Sequence, residues 1–253
     1  MMNPKDVIPV PHLRQARNVL VIFPHPDDAE LTAGGTVALL SSEGATVTYA
    51  PVTDGSMGTF DPRVSLEQIA ALRRKEQEDA ALMLGVKDIE WLGFRDGFLP
   101  DVETLREPMV KLIRRLQPDF VLTLDPWLPY EAHPDHRKTG MAAVEAVIYA
   151  AFPLAYPEHL QEGLVPWGVS GIAMALSLRP NTFINVESTW DKKIAACLAH
   201  KSQFPLDLWN SMYMPYIQAK SMEWGREVGA GVAETFKVMH PYHLHVMVDA
   251  WKV

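Results

Sequence analysis

His25, Asp27 and Asp28 put one imidazole and two carboxylates into a single turn, within Pro24-His25-Pro26-Asp27-Asp28-Ala29-Glu30. His25 and Asp28 stand three residues apart, close enough for one turn to aim both at one ion. A nitrogen with a carboxylate suits zinc or a similar divalent metal. Asp27, between them, is left free for proton transfer. Aspartates also cap helices and His-Pro turns are common, so this stretch alone leaves a structural reading open. A second stretch decides for chemistry. Asp125-Pro126-Trp127-Leu128-Pro129-Tyr130-Glu131-Ala132-His133-Pro134-Asp135-His136 again sets histidines and acids behind an apolar run, residues 120–124. Two such turns at the same edge of one parallel sheet can face each other.

The elements that must hold these turns are legible on either side of them. Val19-Leu20-Val21-Ile22-Phe23 is a short apolar run of the kind buried on both faces, and it predicts a strand over 18–23. The prolines after it stop the strand, and a helix is expected over 29–42. Gly34-Gly35 within that helix costs up to about 1 kcal/mol per residue relative to alanine, for which close helix-to-strand packing is the preferred reason and a ligand contact the alternative. Residues 46–52 alternate as a second strand, leading into the turn-rich loop 53–62, where Asp54 serves either the site or the turn. A helix over 65–84 is capped by Ser65 and stopped by Gly85. Arg73 and Glu76 fall on its apolar stripe, so they either pair with each other or Arg73 reaches into the pocket to bind substrate or hold Asp27.

Further strands are expected over 89–92 and 120–124, with helices over 103–117 and 137–150. This alternation with short links implies an α/β, Rossmann-like, doubly wound and mostly parallel sheet with helices on both faces. In such sheets ligands bind outside the carboxyl ends of the strands, where both candidate turns lie. A proline-rich loop or lid over 152–167 precedes strands over 170–177 and 182–186, a helix over 189–201 and a looser helical stretch over 207–229. The aromatics of that stretch, Trp209, Tyr213, Tyr216 and Trp224, read as core packing, with a sugar platform or a subunit interface as the alternatives. The tail 236–245 carries three of the nine histidines, His240, His243 and His245. The whole chain reads as one domain, 1–253, with a core over 18–150 and a C-terminal part, 151–253, that completes the pocket.

Composition narrows the functions. With 48% hydrophobic residues the 253-residue chain supplies a full core, and its net charge of −8 with no basic block argues against nucleic acid. The single Cys197 reads as core filler. No apolar run approaches a membrane span and no signal peptide is visible, so a cytoplasmic, membrane-free protein is expected. The absence of a glycine fingerprint after the first strand counts against a nucleotide-binding Rossmann protein.

Together, Pro24-His25-Pro26-Asp27-Asp28, Arg73-Arg74-Lys75-Glu76 through Leu84-Gly85, His133-Pro134-Asp135-His136 and Ala199-His200-Lys201-Ser202-Gln203 make the chain resemble the PIG-L/LmbE-like zinc-dependent N-acetylglucosamine deacetylases. Asp54-Gly55-Ser56-Met57-Gly58-Thr59, Asp125–Glu131 and His200–Pro205 are similar to runs of the diacetylchitobiose deacetylases within that family. The resemblance implies one zinc ion per subunit, held by His25, Asp28 and His136, with Asp27 as general base and a cationic His133 as electrophile. It implies substrate contacts from Arg73, and the Trp127 and Tyr130 loop would handle sugar hydroxyls and faces. His243, with His240 and His245 as the alternatives, is the tail histidine assigned to help complete a neighbouring subunit's site, in a hexamer or trimer-based homo-oligomer. The implied reaction is hydrolysis of the N-acetyl group of small chitooligosaccharides, releasing acetate. A zinc amidase for another N-acyl substrate, such as a thiol-sugar conjugate, is the alternative. A non-catalytic binding module is disfavoured because His25, Asp27, Asp28, His133 and His136 are all intact.

Overall fold

The computed structural model describes residues 3–253. Seven strands form one sheet: β1 (Asn18–Phe23), β2 (Thr46–Pro51), β3 (Asp88–Ile89), β4 (Phe120–Leu124), β5 (Gly171–Ala175), β6 (Thr182–Asn185) and β7 (Ala233–Met239). Their spatial order is β3-β2-β1-β4-β5-β7-β6. The first five are parallel, as the βα alternation requires, whereas β7 runs antiparallel to both β5 and β6.

Six long helices cover the sheet: α1 (Asp28–Ser42), α2 (Leu66–Leu84), α3 (Val102–Leu116), α4 (Pro134–Tyr149), α5 (Trp190–Ala199) and α6 (Met214–Arg226). The period of two along β1 divides the core. Val19, Val21 and Phe23 pack under α1, α2 and α5, while Leu20 and Ile22 pack under α3 and α4. Strand β1 is buried on both faces, so a continuous apolar run was needed there.

Local chemistry sets the helix ends. Ser65 and Gln68 form a reciprocal capping box at the start of α2, and Gly85 closes it at φ 77° in the left-handed region. The glycine pair in α1 serves close packing: a Cβ on Gly35 would lie 2.8 Å from Val186 Cβ. The neighbour is the residue after β6 rather than β1.

Three expectations change. Strand β3 is only two residues long, short of the expected 89–92. The stretch read as one loose helix is broken into Leu206–Leu208, a π-helical turn over Trp209–Tyr213, and α6, whose first turn holds Pro215. Trp209 is buried with Phe204 in a small separate cluster, while Tyr216 is exposed. The larger miss is β7, which spans the end of the unassigned stretch after 229 and the start of the segment read as tail. Its polar residues hid it: Glu234 and Lys237 are buried in a strand that shows no alternation. Glu234 is satisfied by Lys193 at 2.5 Å and by the backbone N–H groups of Gly35 and Thr36. Cys197 is fully buried, as a core filler should be. No helix among the described residues is long and apolar enough to cross a membrane.

Candidate active site

The carboxyl ends of β1 and β4 lie side by side, since Val21 pairs with Leu122 in parallel register. The turns leaving them therefore open into one cavity of about 360 Å³, lined by His25, Asp27, Asp28, Arg73, Asp96, His133 and His136 among others. His25 Nδ1 stands 3.1 Å from one Asp28 oxygen, and His136 Nε2 stands 3.5 Å from the other. The ligand atoms of His25, Asp28 and His136 all fall within 4.8 Å of one another.

The donor chemistry fits a divalent cation. Burial works to raise the Asp28 carboxyl, but the charge of His136 and the hydrogen bonds of His25 overcome it and bring it down to about 2. Asp28 is thus an anion at neutral pH. Each histidine has its other nitrogen held by a carboxylate. His25 Nε2 meets Asp96 at 3.1 Å and Asp135 at 3.4 Å, and His136 Nδ1 meets Glu131 at 3.1 Å. Such outer carboxylates fix the tautomer and strengthen an imidazole as a ligand. Burial alone would lower the His25 pKa, yet its bonds to Asp135, Asp28 and Asp96 raise it well above the usual value. One imidazole ringed by three carboxylates is a place suited to positive charge. A second trio, His25, Asp96 and His133, also lies within ligand distance, but it shares His25 and draws on the nitrogen that Asp96 and Asp135 already hold.

Asp27 is built differently. It occupies the N-cap position of α1, yet its side chain makes no capping bond. Its backbone sits at φ 115°, ψ −32°, a conformation that costs a non-glycine residue about 1–3 kcal/mol. The carboxylate that would have capped the helix is left to the cavity. Arg73 Nη2 binds it at 3.0 Å and also donates to Pro26 O at 2.6 Å, while Nη1 donates to Gly55 O at 3.0 Å. Burial, then the charge of Asp28, pushes the Asp27 carboxyl up to about 6, with Arg73 the main opposing influence. Arg73 does not pair with Glu76, which instead accepts from the Ser202 N–H and hydroxyl at 2.8 and 2.6 Å.

His133 begins α4, and its Nδ1 accepts the Asp135 N–H at 3.2 Å. Accepting there leaves Nε2 as the protonated nitrogen of a neutral ring. Burial, then the charges of His25 and His136, lowers its pKa. The expected cationic His133 is corrected to a neutral donor, because its two neighbouring imidazoles and the helix-start N–H both disfavour a second proton.

Other residues stand elsewhere. Asp54 is a turn former: its Oδ1 accepts from Ser56 N and Asp96 N at 3.0 and 3.2 Å, and it does not line the cavity. Trp127 and Tyr130 are exposed, and neither lines the cavity of the metal-ligand trio. Trp127 lines a separate cavity with His243 and Trp251, and Tyr130 projects fully outward. His243 is buried within its own chain, with Nε2 donating to Ile8 O at 2.8 Å and Nδ1 accepting from His240 N at 3.1 Å. Both ring nitrogens are used, so His243 is a structural clamp rather than a residue presented to a neighbour. Asp96, Asp135 and Glu131 were missed as site residues. The only signal for Asp96 was its place in Gly93-Phe94-Arg95-Asp96-Gly97, a third turn leaving the same sheet edge.

This sheet and donor set define a class: an α/β enzyme with a divalent-cation site, a free carboxylate and a neutral imidazole at one strand edge. Comparison with known proteins sharpens it. Residues 20–147 match the PIG-L family model, described as GlcNAc-PI de-N-acetylase. The diacetylchitobiose deacetylase of Thermococcus kodakarensis is 38% identical over 230 residues, covering 91% of this chain and 86% of that protein. A probable N-acetyl-alpha-D-glucosaminyl L-malate deacetylase 2 of Bacillus cereus is 34% identical over 192 residues, covering 74% of this chain and 84% of that one. The structure of the N,N'-diacetylchitobiose deacetylase from Pyrococcus horikoshii superposes with a TM-score of 0.89 at 40% identity, covering 93% of this chain and 88% of that one. The chain belongs to the PIG-L family, and it is a deacetylase.

Proposed function

We propose that the protein is a zinc-dependent hydrolase that removes the N-acetyl group from N-acetylglucosamine units of small chitooligosaccharides, diacetylchitobiose foremost, and releases acetate. The observation that carries this reading is Asp27, a carboxylate withheld from helix capping beside the His25, Asp28 and His136 trio. Similarity to two diacetylchitobiose deacetylases over most of the chain supports the substrate class. A zinc ion held by His25, Asp28 and His136 would supply Lewis acidity, acidifying water and polarising the acetamide.

The chain's own groups do the rest. Asp27, ionised above about pH 6, takes the proton of the attacking water. Arg73 keeps that carboxylate aimed and charged. The neutral Nε2–H of His133 donates to the acetamide oxygen as negative charge develops on it. Asp27 then returns its proton to the departing amine, giving acetate and the free amino sugar.

The test is acetate release from N-acetylglucosamine and diacetylchitobiose by zinc-loaded enzyme, chelated enzyme and Asp27→Asn. Zinc-dependent release that the substitution abolishes is the expected result. Full activity of Asp27→Asn with metal bound refutes the role of Asp27. Stoichiometric zinc with no release from either sugar moves the substrate to another N-acyl glucosaminyl conjugate, the reading favoured by the Bacillus cereus relative. Homo-oligomer formation belongs to the same proposal and is supported by the exposed Tyr242, Val246 and Val248 of the tail. His245, the exposed member of the tail histidines, replaces His243 as the residue available to a neighbour.

A further inference from the structure

Asp27 is held from two directions by one helix. Arg73 and Gln77 are four residues apart on α2, hence on one face, and both are buried. Arg73 takes the carboxylate, and Gln77 takes the backbone: Gln77 Oε1 accepts the Asp27 N–H at 3.1 Å. That N–H is outside the ladder of α1, because Asp27 is its N-cap. The backbone at φ 115° therefore depends on an outside partner to hold it.

Gln77 is itself oriented. Its Nε2 donates to Glu30 Oε1 at 2.9 Å, and the other Glu30 oxygen meets His200 Nε2 at 3.2 Å. A backbone donor at one end and a carboxylate at the other allow the amide one orientation only. Glu30 and His200 are fully buried, and His200 Nδ1 has no partner among the described residues, so the imidazole has Glu30 as its one anchor there. Four groups from α1, α2 and the segment after α5 thus form a single file that ends on the Asp27 amide.

We infer that Gln77, locked by Glu30 and His200, is the positioning residue that keeps Asp27 in its strained conformation with the carboxylate turned to the cavity. The inference rests on the reading of Asp27 as general base. Gln77 touches no substrate and acts only through Asp27. A side chain on α2 so sets the aim of a residue at the edge of β1, 50 positions earlier in the chain.

The test pairs Gln77→Leu with Glu30→Gln, which loosens the far end with little change of volume, each made alone and in an Asp27→Asn background. Gln77→Leu is expected to lower kcat on the order of tenfold to a hundredfold through misaim of the base. KM and the metal content per chain stay at the parent values, and Glu30→Gln shows a smaller loss in the same direction. In the Asp27→Asn background Gln77→Leu changes the residual rate by less than about twofold, because the residue it serves is gone. Hydrogen exchange gives a readout independent of turnover: the peptide spanning residues 24–31 exchanges faster in Gln77→Leu while the strands stay protected.

A merely structural Gln77 would cost the same factor in both backgrounds, and that outcome overturns the inference. So does an unchanged kcat in both Gln77→Leu and Glu30→Gln. If Asp27→Asn alone keeps the parent rate, the general-base reading fails first. If it is inactive while Gln77→Leu is as fast as the parent, the positioning role alone fails.

Discussion

Replacing Arg73 by methionine removes the one guanidinium that faces Asp27 and leaves a side chain of similar length. The pair is 3.0 Å apart, with side-chain exposures of 4% and 15%. Unit charges at that distance attract by about 5 kcal/mol at an effective dielectric constant of about 20. Desolvation and the surrounding charges offset much of this, and a neighbouring cation in practice lowers a carboxyl by about 1–3 pKa units. Asp27 stands at about 6 with Arg73 present, because burial and Asp28 outweigh the arginine. Without it the carboxyl rises by that same increment. The base works as the anion, so activity falls as pH drops through its pKa, and the acid limb moves to higher pH in the variant. The assay is kcat/KM against pH for the parent, Arg73→Met and Arg73→Lys at equal metal content. Arg73→Met should lose from about twofold to about two orders of magnitude at pH 7 and recover most of that by pH 9, following a limb shifted up by about 1–3 units. Arg73→Lys keeps the charge and should shift less. An acid limb that stays where the parent has it, with metal bound, refutes the electrostatic reasoning.

The other predictions follow from single contacts. Glu131→Gln removes the carboxylate 3.1 Å from His136 Nδ1, and zinc affinity measured by competition with a chelator should weaken about 10–100-fold. His133→Phe should lower kcat by about 10²–10³ while metal stoichiometry is unchanged; loss of the metal would show His133 to be a ligand. Gly35→Ala places a methyl 2.8 Å from Val186 Cβ, and denaturant unfolding should show about 1–3 kcal/mol of destabilisation. Val186→Ala, which removes the two γ carbons 3.0 and 3.1 Å away but keeps Cβ, should return part of it, and additive losses would refute a contribution from those carbons.

Much of the architecture was legible because it is written in local patterns. The apolar run of β1, the capping box of α2 and the proline stops are signals carried by a few adjacent residues. They placed most elements within a residue or two and put both chemical turns at one sheet edge. The metal-ligand trio was legible for the same reason, since His25 and Asp28 are near neighbours and His136 follows β4 in the matching segment, although it stands in the first turn of α4 rather than before it.

Tertiary structure decided what depends on residues far apart in the chain. Strand β7 carries buried charges whose partners are Lys193 and the backbone of α1, so no alternation could reveal it. Asp96 and Asp135 become part of the site only where β1, β3 and β4 bring three loops around His25. His243 matched a functional expectation by type alone, and the fold spends both of its nitrogens on Ile8 and His240. The neutral state of His133 likewise depends on burial and on His25 and His136, and the aim of Asp27 on a file of contacts that reaches His200. A sequence states which groups a turn can offer. Whether a group is charged, free or already bonded is set by burial and by partners that only the folded chain assembles.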